Sequence, residues 1–318
     1  MRTRRAAPLV GVSAAVAVAS VAGVWGLWRV FVDTWAGQSV DQAAMEGAAY
    51  GQNQLWRIAE PVLDVVSVSF IAIVLATAIV IAVARRRWEL AVQAAVVMIG
   101  ANVTTQVLKK WVFERPELGV PGGYGNTLPS GHTTVAASAA VVLTLVVAPR
   151  VRPWAAAIGA LYTTATGVST LVGQWHRPSD VVAAVLVVLA WTAATCALAV
   201  VVPRWASSGD GPVDRAPAPR ATRAMLVVLS VVGVVLAVVA GAALSSTWSK
   251  VPEVTGRDEL LTAYLGGAAG TAAAACIAFA ITLWLREAAA SGLPRGRRIV
   301  VESASDGDSP RVERPVNR

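Results

Sequence analysis

Apolar residues run along this chain in long unbroken stretches separated by short polar or basic spacers. That is neither the strict alternation of a half-buried strand nor the one-sided stripe of a surface helix. Eight stretches reach or approach the roughly 20 residues that a helix needs to cross a bilayer. They run from Val10 to Trp28, Val62 to Ala84, Leu90 to Leu108, Gly131 to Val147, Trp154 to Val172, Val181 to Val201, Ala224 to Leu244 and Leu260 to Leu285. Any one of them would suit a buried helix of a soluble protein. Eight in 318 residues would not, because no soluble core is large enough to bury them all. The pattern predicts an all-α, polytopic transmembrane helical bundle. The first stretch reads as a retained helix: it has no convincing small-residue cleavage site, and further spans follow it.

Three less apolar regions lie outside the stretches. Arg29 to Pro61 reads as a long connection, amphipathic in parts, with Trp35 and Trp56 placed like interfacial anchors. A Pro/Gly/Ala-rich linker over residues 204–223 separates a six-span unit, residues 1–203, from two extra spans within 224–290. The tail, residues 291–318, is polar, arginine-rich and poor in aromatics, which predicts disorder. Its charge would suit contact with anionic lipid.

Composition narrows the classes. Hydrophobic residues make up 56% and charged residues 14%, with a mean hydropathy of +0.60. Soluble domains average about 45–50% apolar and about 25% charged, so most soluble folds are excluded. Both cysteines, Cys196 and Cys276, lie inside apolar stretches. Two thiols exclude a disulfide-built scaffold and a cysteine-rich metal site. The net charge of +8 sits in the spacers, a membrane pattern rather than a nucleic-acid footprint.

Basic residues also set an orientation, because cytoplasmic segments are enriched in Lys and Arg. With the N-terminus cytoplasmic and eight crossings, 19 of the 27 basic residues fall inside, among them Arg2, Arg4, Arg5, Arg85, Arg86 and Arg87. Both termini are then cytoplasmic. The outer face receives Arg29, Arg57, Lys109, Lys110, Arg115, Arg177, Lys250 and Arg257, together with the only histidines, His132 and His176.

Three motifs gather at that face. Lys109 and Lys110 lead into Arg115-Pro116 at the end of the third span. Pro129-Ser130-Gly131-His132 opens the fourth, where a helix N-terminus offers free N–H groups and a positive dipole end to an anion. Gly131 lets a backbone approach closely. His176-Arg177-Pro178-Ser179-Asp180 opens the sixth. His176 and Asp180 are four apart, so the carboxylate can fix the ring tautomer and leave one nitrogen free to act on a substrate. Each motif also has a plainer reading: a Pro-Ser helix cap, a capping aspartate beside a surface histidine, or snorkelling cations. Taken together they hold a nucleophile with its orienter, a second histidine for proton transfer, and cations for a phosphoryl transition state.

These residues resemble the type-2 phosphatidic acid phosphatase superfamily, whose members share a six-helix core and three ordered motifs. Lys109 through Arg115-Pro116 is similar to the first motif, with a spacer one residue shorter than usual. Pro129 to His132 matches the second. Ser169-Thr170 through His176 to Asp180 is similar to the third, with Thr170 standing where the family has an arginine. The likeness covers roughly residues 62–201. It implies His176 as nucleophile, Asp180 as its orienter and His132 as proton donor to the leaving oxygen. It implies Lys109, Arg115, Ser130 and the Gly131 backbone as phosphate ligands. Arg177 is the candidate to replace the missing arginine.

The implied function is an integral membrane lipid phosphatase acting at the outer leaflet. Polyprenyl diphosphate, phosphatidylglycerol phosphate and phosphatidic acid are the substrate classes. A lipid-linked phosphotransferase and a non-catalytic lipid-phosphate binder or transporter are the alternatives. No metal, cofactor or nucleic-acid partner is expected, because cationic side chains and helix N-termini suffice for this transition state.

Overall fold

The computed structural model describes residues 2–65, 68–84, 88–122, 125–201, 220–251 and 253–292. The chain is all-α over these residues. Helix α1 spans Arg2–Leu27 and runs into a π-helical turn, Trp28–Val32. Then come α2 (Trp35–Ala49), α3 (Gln52–Val65), α4 (Val68–Ala84) and α5 (Trp88–Val107), the last ending in a second π-helical turn, Leu108–Val112. They are followed by α6 (Gly131–Val146), α7 (Arg152–Val172), α8 (Pro178–Val201), α9 (Arg220–Trp248) and α10 (Arg257–Gly292).

The predicted apolar stretches are helical almost throughout, the second of them falling partly in α3 and mostly in α4. Among the described residues, six helices are long and apolar enough to cross a membrane: Ala7–Val32, Trp88–Val112, Arg152–Val172, Pro178–Val201, Arg220–Trp248 and Arg257–Ala289. The other two, α4 and α6, are shorter, with 17 and 16 residues. At 1.5 Å per residue α6 is about 24 Å long, less than the ~30 Å hydrocarbon core.

The predicted connection from Arg29 to Pro61 is the largest departure from the sequence reading. It is mostly helical. The first span extends to Val32, after which α2 packs mainly against α10 and α3 against α7. Thr34 starts α2 by accepting the Gly37 N–H on its hydroxyl. Helix α2 buries polar residues, Gln38, Asp41 and Gln42, as well as apolar ones. The 204–223 linker is also shorter than expected, because α9 begins at Arg220. The rest of it, the basic residues Arg85–Arg87 and the tail beyond Gly292 lie outside the described residues.

The main core lies among α4, α5, α6, α7 and α8, around Leu90, Met98, Leu128, Leu145 and Phe279 of α10. Helix α10 also packs against α2, α7, α8 and α9. Two contacts of α10 demand glycine. A Cβ on Gly47 of α2 would lie 2.0 Å from the Leu260 carbonyl oxygen, and one on Gly267 would lie 2.5 Å from Pro178 of α8.

The two ends of the bundle differ. At one, Leu9 of α1 packs with Ala193 and Cys196 of α8 and with Leu285 and Ala289 of α10, while Arg152 pairs with Glu287. Both the start of α1 and the end of α10 therefore lie there. The three motifs lie at the other end. There Trp28 stacks on Phe113 with ring centroids 5.2 Å apart, and Phe31 meets Trp248.

Candidate active site

The C-terminus of α7 and the N-terminus of α8 are joined by a tight reversal that sets the position of His176. The Gly173 N–H bonds the Ser169 carbonyl, and the Trp175 and His176 N–H groups both reach the Thr170 carbonyl. Gln174 adopts a left-handed conformation, φ 60°, which a glutamine tolerates only when held. Its amide donates to the Met45 carbonyl of α2 and the Leu171 carbonyl of α7. The chain then restarts as a helix at Pro178, whose fixed φ suits the first helical position.

That reversal places His176 one turn before Asp180. The His176 Nδ1 lies 3.1 Å from Asp180 Oδ2. The same oxygen accepts the Thr127 hydroxyl at 2.7 Å and the Arg177 N–H at 3.0 Å. A buried carboxylate oxygen taking three donors is held in one geometry. It keeps the proton on Nδ1 and leaves the lone pair on Nε2. The His132 ring stands across the site, its centroid 6.2 Å from that of His176.

Ser130 caps α6. Its hydroxyl accepts the Thr133 N–H at 3.3 Å, and its own N–H donates to the Asp180 carbonyl at 2.9 Å. The second and third motifs are thus joined through backbone as well as through side chains. Around Gly131 the space is open: a Cβ there would meet nothing nearer than the Gln106 amide nitrogen at 3.8 Å.

The first motif reaches the site from the end of α5. Asn126 binds the loop to that end, donating to the carbonyls of Lys109 and Phe113. Gln38 of α2 donates to the Pro116 carbonyl at 3.0 Å, and Trp28 to that of Glu114. Lys109 lies within electrostatic range of Asp180 and His132. Arg115 lies near Arg177, Asp41 and Asp180. Burial and the neighbouring Arg177 push the Arg115 guanidinium below the usual arginine range. Its Nη2 is buried and bonds no group among the described residues. A partly desolvated cation with an unused donor is a natural partner for an anion.

Arg177 is placed differently from the sequence expectation. Its side chain is 2% exposed. Nε and Nη2 both donate to Gln42 Oε1, Nη1 to Thr127 and Nη2 also to the Gly122 carbonyl. These protein acceptors occupy the guanidinium, so it braces the loop and has little left for a phosphate oxygen. Thr170, at the position of the family arginine, is fully buried and donates its hydroxyl to the Gly167 carbonyl at 2.7 Å.

Sequence reasoning missed Asp41, Gln42, Thr127 and Asn126. Only the Gln38, Asp41, Gln42 spacing of three and four residues, a polar stripe on one helix face, pointed to any of them. Trp56, expected at the membrane interface, meets Trp175, which in turn lies 5.2 Å from the His132 ring. Trp56 therefore belongs to the rim of the site.

The family model described as the PAP2 superfamily matches residues 90–205, which include all three motifs. No curated protein and no solved structure gives a significant match to the chain.

Proposed function

We propose that this PAP2 (type-2 phosphatidic acid phosphatase) superfamily domain, set in its membrane bundle, hydrolyses a phosphate or diphosphate ester of a membrane lipid through a phosphohistidine on His176. The superfamily match and the apolar helices support a membrane lipid-phosphate hydrolase. The observation that carries the finer reading is the triply bonded Asp180 carboxylate, which fixes the His176 tautomer so that Nε2 is the nucleophile.

In the first half-reaction Nε2 attacks phosphorus and the bond to the lipid oxygen breaks. His132 gives that oxygen its proton. In the second, His132 takes a proton from water, which attacks the phosphohistidine, and inorganic phosphate leaves. Lys109, Arg115, Ser130 and the free N–H groups at the start of α6 hold the phosphoryl oxygens. Arg177 supports the loop that carries His176.

The organisation we propose is a core of six spans, residues 1–203, followed by two further spans from α9 and α10. Both termini are cytoplasmic and the site is at the outer face. This reading rests on the basic-residue bias and on the placement of the site opposite the end where α1 begins. The short α6 would set Ser130 and His132 somewhat below the headgroup layer, so a lipid phosphate would enter the site from above.

Thr170 favours one other reading, a lipid-phosphate binder without turnover, because its hydroxyl is engaged and supplies no cation. Purified full-length protein in detergent, assayed against polyprenyl diphosphate, phosphatidylglycerol phosphate and phosphatidic acid with and without chelator, separates the two. Phosphate release that persists with chelator and an acid-labile phosphoenzyme that is lost in His176→Ala are expected. Binding without release would establish the binder.

A further inference from the structure

Helix α2 lies outside the residues that match the family, yet it grips the loop that carries the candidate nucleophile at three points. Its Asp41 takes the Ser179 N–H on Oδ1 at 3.1 Å and the Ser179 hydroxyl on Oδ2 at 2.5 Å. Gln42 takes two donors of Arg177, and the Met45 carbonyl takes the Gln174 amide. Residues 174, 177 and 179 bracket His176, and Ser179 directly precedes Asp180.

We infer that Asp41 is a positioning residue for phosphoryl transfer, acting through Ser179 to fix the first turn of α8 and with it the His176–Asp180 pair. This rests on the reading of His176 as nucleophile. A helix start leaves its first N–H groups without internal partners. Asp41 supplies the acceptor for one of them from another element, so the first turn of α8 is anchored from outside itself.

The surroundings of Asp41 are unequal. On one side lies an apolar cavity of about 400 Å³ between α1, α2, α8, α9 and α10, lined by residues such as Leu27, Phe31, Ala240, Gly267 and Ile277. On the other lie Asp180, Arg177 and Arg115, the charged groups that act on it among the described residues. Burial, reinforced by the Asp180 charge, pushes the Asp41 carboxyl up to about 7. When it is protonated the tie survives: Oδ1 still accepts the Ser179 N–H, and the acid proton points to the Ser179 oxygen. When it ionises, a second negative charge faces Asp180 across Ser179 and opposes the approach of an anionic substrate. Asparagine reproduces the protonated form, with one acceptor and one donor in place and no charge. Alanine removes both bonds.

The test compares wild type, Asp41→Asn, Asp41→Ala and Ser179→Ala in the purified full chain, with a lipid phosphate that the wild type hydrolyses. Asp41→Ala should lower kcat by about 10²-fold, the scale of a misplaced reacting group, with KM nearly unchanged. Asp41→Asn should restore most of kcat and lack the decline that wild type shows as pH rises through 7. Wild-type kcat in Asp41→Ala, or superposable pH profiles for wild type and Asp41→Asn, would overturn the inference. A second readout does not need turnover. The chain has only two histidines, so ¹⁵N-histidine spectra, assigned with His132→Ala, report the His176 tautomer directly. Asp41→Ala should shift the His176 nitrogen resonances away from a fixed Nδ1–H tautomer, and unchanged resonances would overturn the inference. If wild type hydrolyses no lipid phosphate at all, the functional reading fails, and the spectra still decide the role of Asp41.

Discussion

Thr127 donates its hydroxyl to Asp180 Oδ2 at 2.7 Å across 53 residues of sequence. It also accepts the Arg177 Nη1 at 3.3 Å. One hydroxyl thus joins the loop after α5 to both charged residues that follow His176 in the turn. A hydrogen bond to a charged group contributes about 1.5–3 kcal/mol. Thr127→Val should therefore lower kcat by about 10- to 100-fold, with Thr127→Ser restoring most of it. Steady-state kinetics on a single lipid phosphate would show this, and an unchanged kcat in Thr127→Val would mean that Asp180 needs only its other two donors.

The two histidines should fail in different ways. His176→Ala should bind substrate but form no phosphoenzyme. His132→Ala should slow phosphoenzyme formation strongly for a lipid alcohol leaving group and much less for an activated aryl phosphate, whose oxygen needs little protonation. Rapid quenching with labelled substrate reads both. Equal losses on alkyl and aryl substrates would take the proton-donor role from His132.

The two arginines should separate likewise. Arg115 has an unused buried donor, whereas Arg177 is engaged by Gln42, Thr127 and Gly122. Arg115→Ala should cost about 2–4 kcal/mol of transition-state stabilisation and weaken inhibition by inorganic phosphate, while leaving the melting temperature close to that of wild type. Arg177→Ala should lower the melting temperature, since it leaves Gln42 Oε1 without its donors. Paired thermal melts and phosphate-inhibition curves distinguish the two, and the opposite pattern would exchange their roles.

Stability should also depend on the protonation of Asp41. Its carboxyl titrates near 7 when folded against an ordinary value of 3.8. Between those two values the folded chain binds the extra proton and the unfolded chain does not. The contribution of Asp41 is therefore fully present below about pH 4, declines as pH rises, and is lost above about pH 7. Asp41→Asn should remove this decline, so the variant gains on wild type from pH 5 to pH 8. Parallel slopes of melting temperature against pH would contradict that.

Orientation is testable by labelling. In a background with Cys196 and Cys276 replaced by alanine, Val120→Cys should react with an impermeant thiol reagent in intact cells, whereas Pro212→Cys should not. Reaction at 212 alone would put the site on the cytoplasmic side.

How much of this could be read beforehand depends on whether a contact is local. The spacing of His176 and Asp180 alone brings them together in any helical turn, and Pro129-Ser130 before an apolar run announces the start of α6. The apolar stretches foretold the helices for the same reason: a backbone in hydrocarbon must satisfy its own hydrogen bonds. Asp41, Gln42 and Thr127 are different. Each gains its meaning from a partner 50 or more residues away. On the sequence they look like ordinary solvated polar residues in a connection. The direction of the Arg177 side chain is not legible for the opposite reason. Its position beside His176 suggests substrate contact, but a side chain that long can turn away from its neighbours, and here it meets Gln42, Thr127 and Gly122.

The seating of Pro178 on Gly267 bears on how the chain could be divided. The boundary near residue 204 is drawn where composition changes, yet the first residue of the helix that carries Asp180 rests on α10, and α10 also meets α2 through Gly47 and Leu260. A truncation after residue 203 would keep every motif and strip away the floor beneath them. Helix α10 thus acts as a mechanical foundation for the start of α8, and a fragment that keeps this packing should extend through α10.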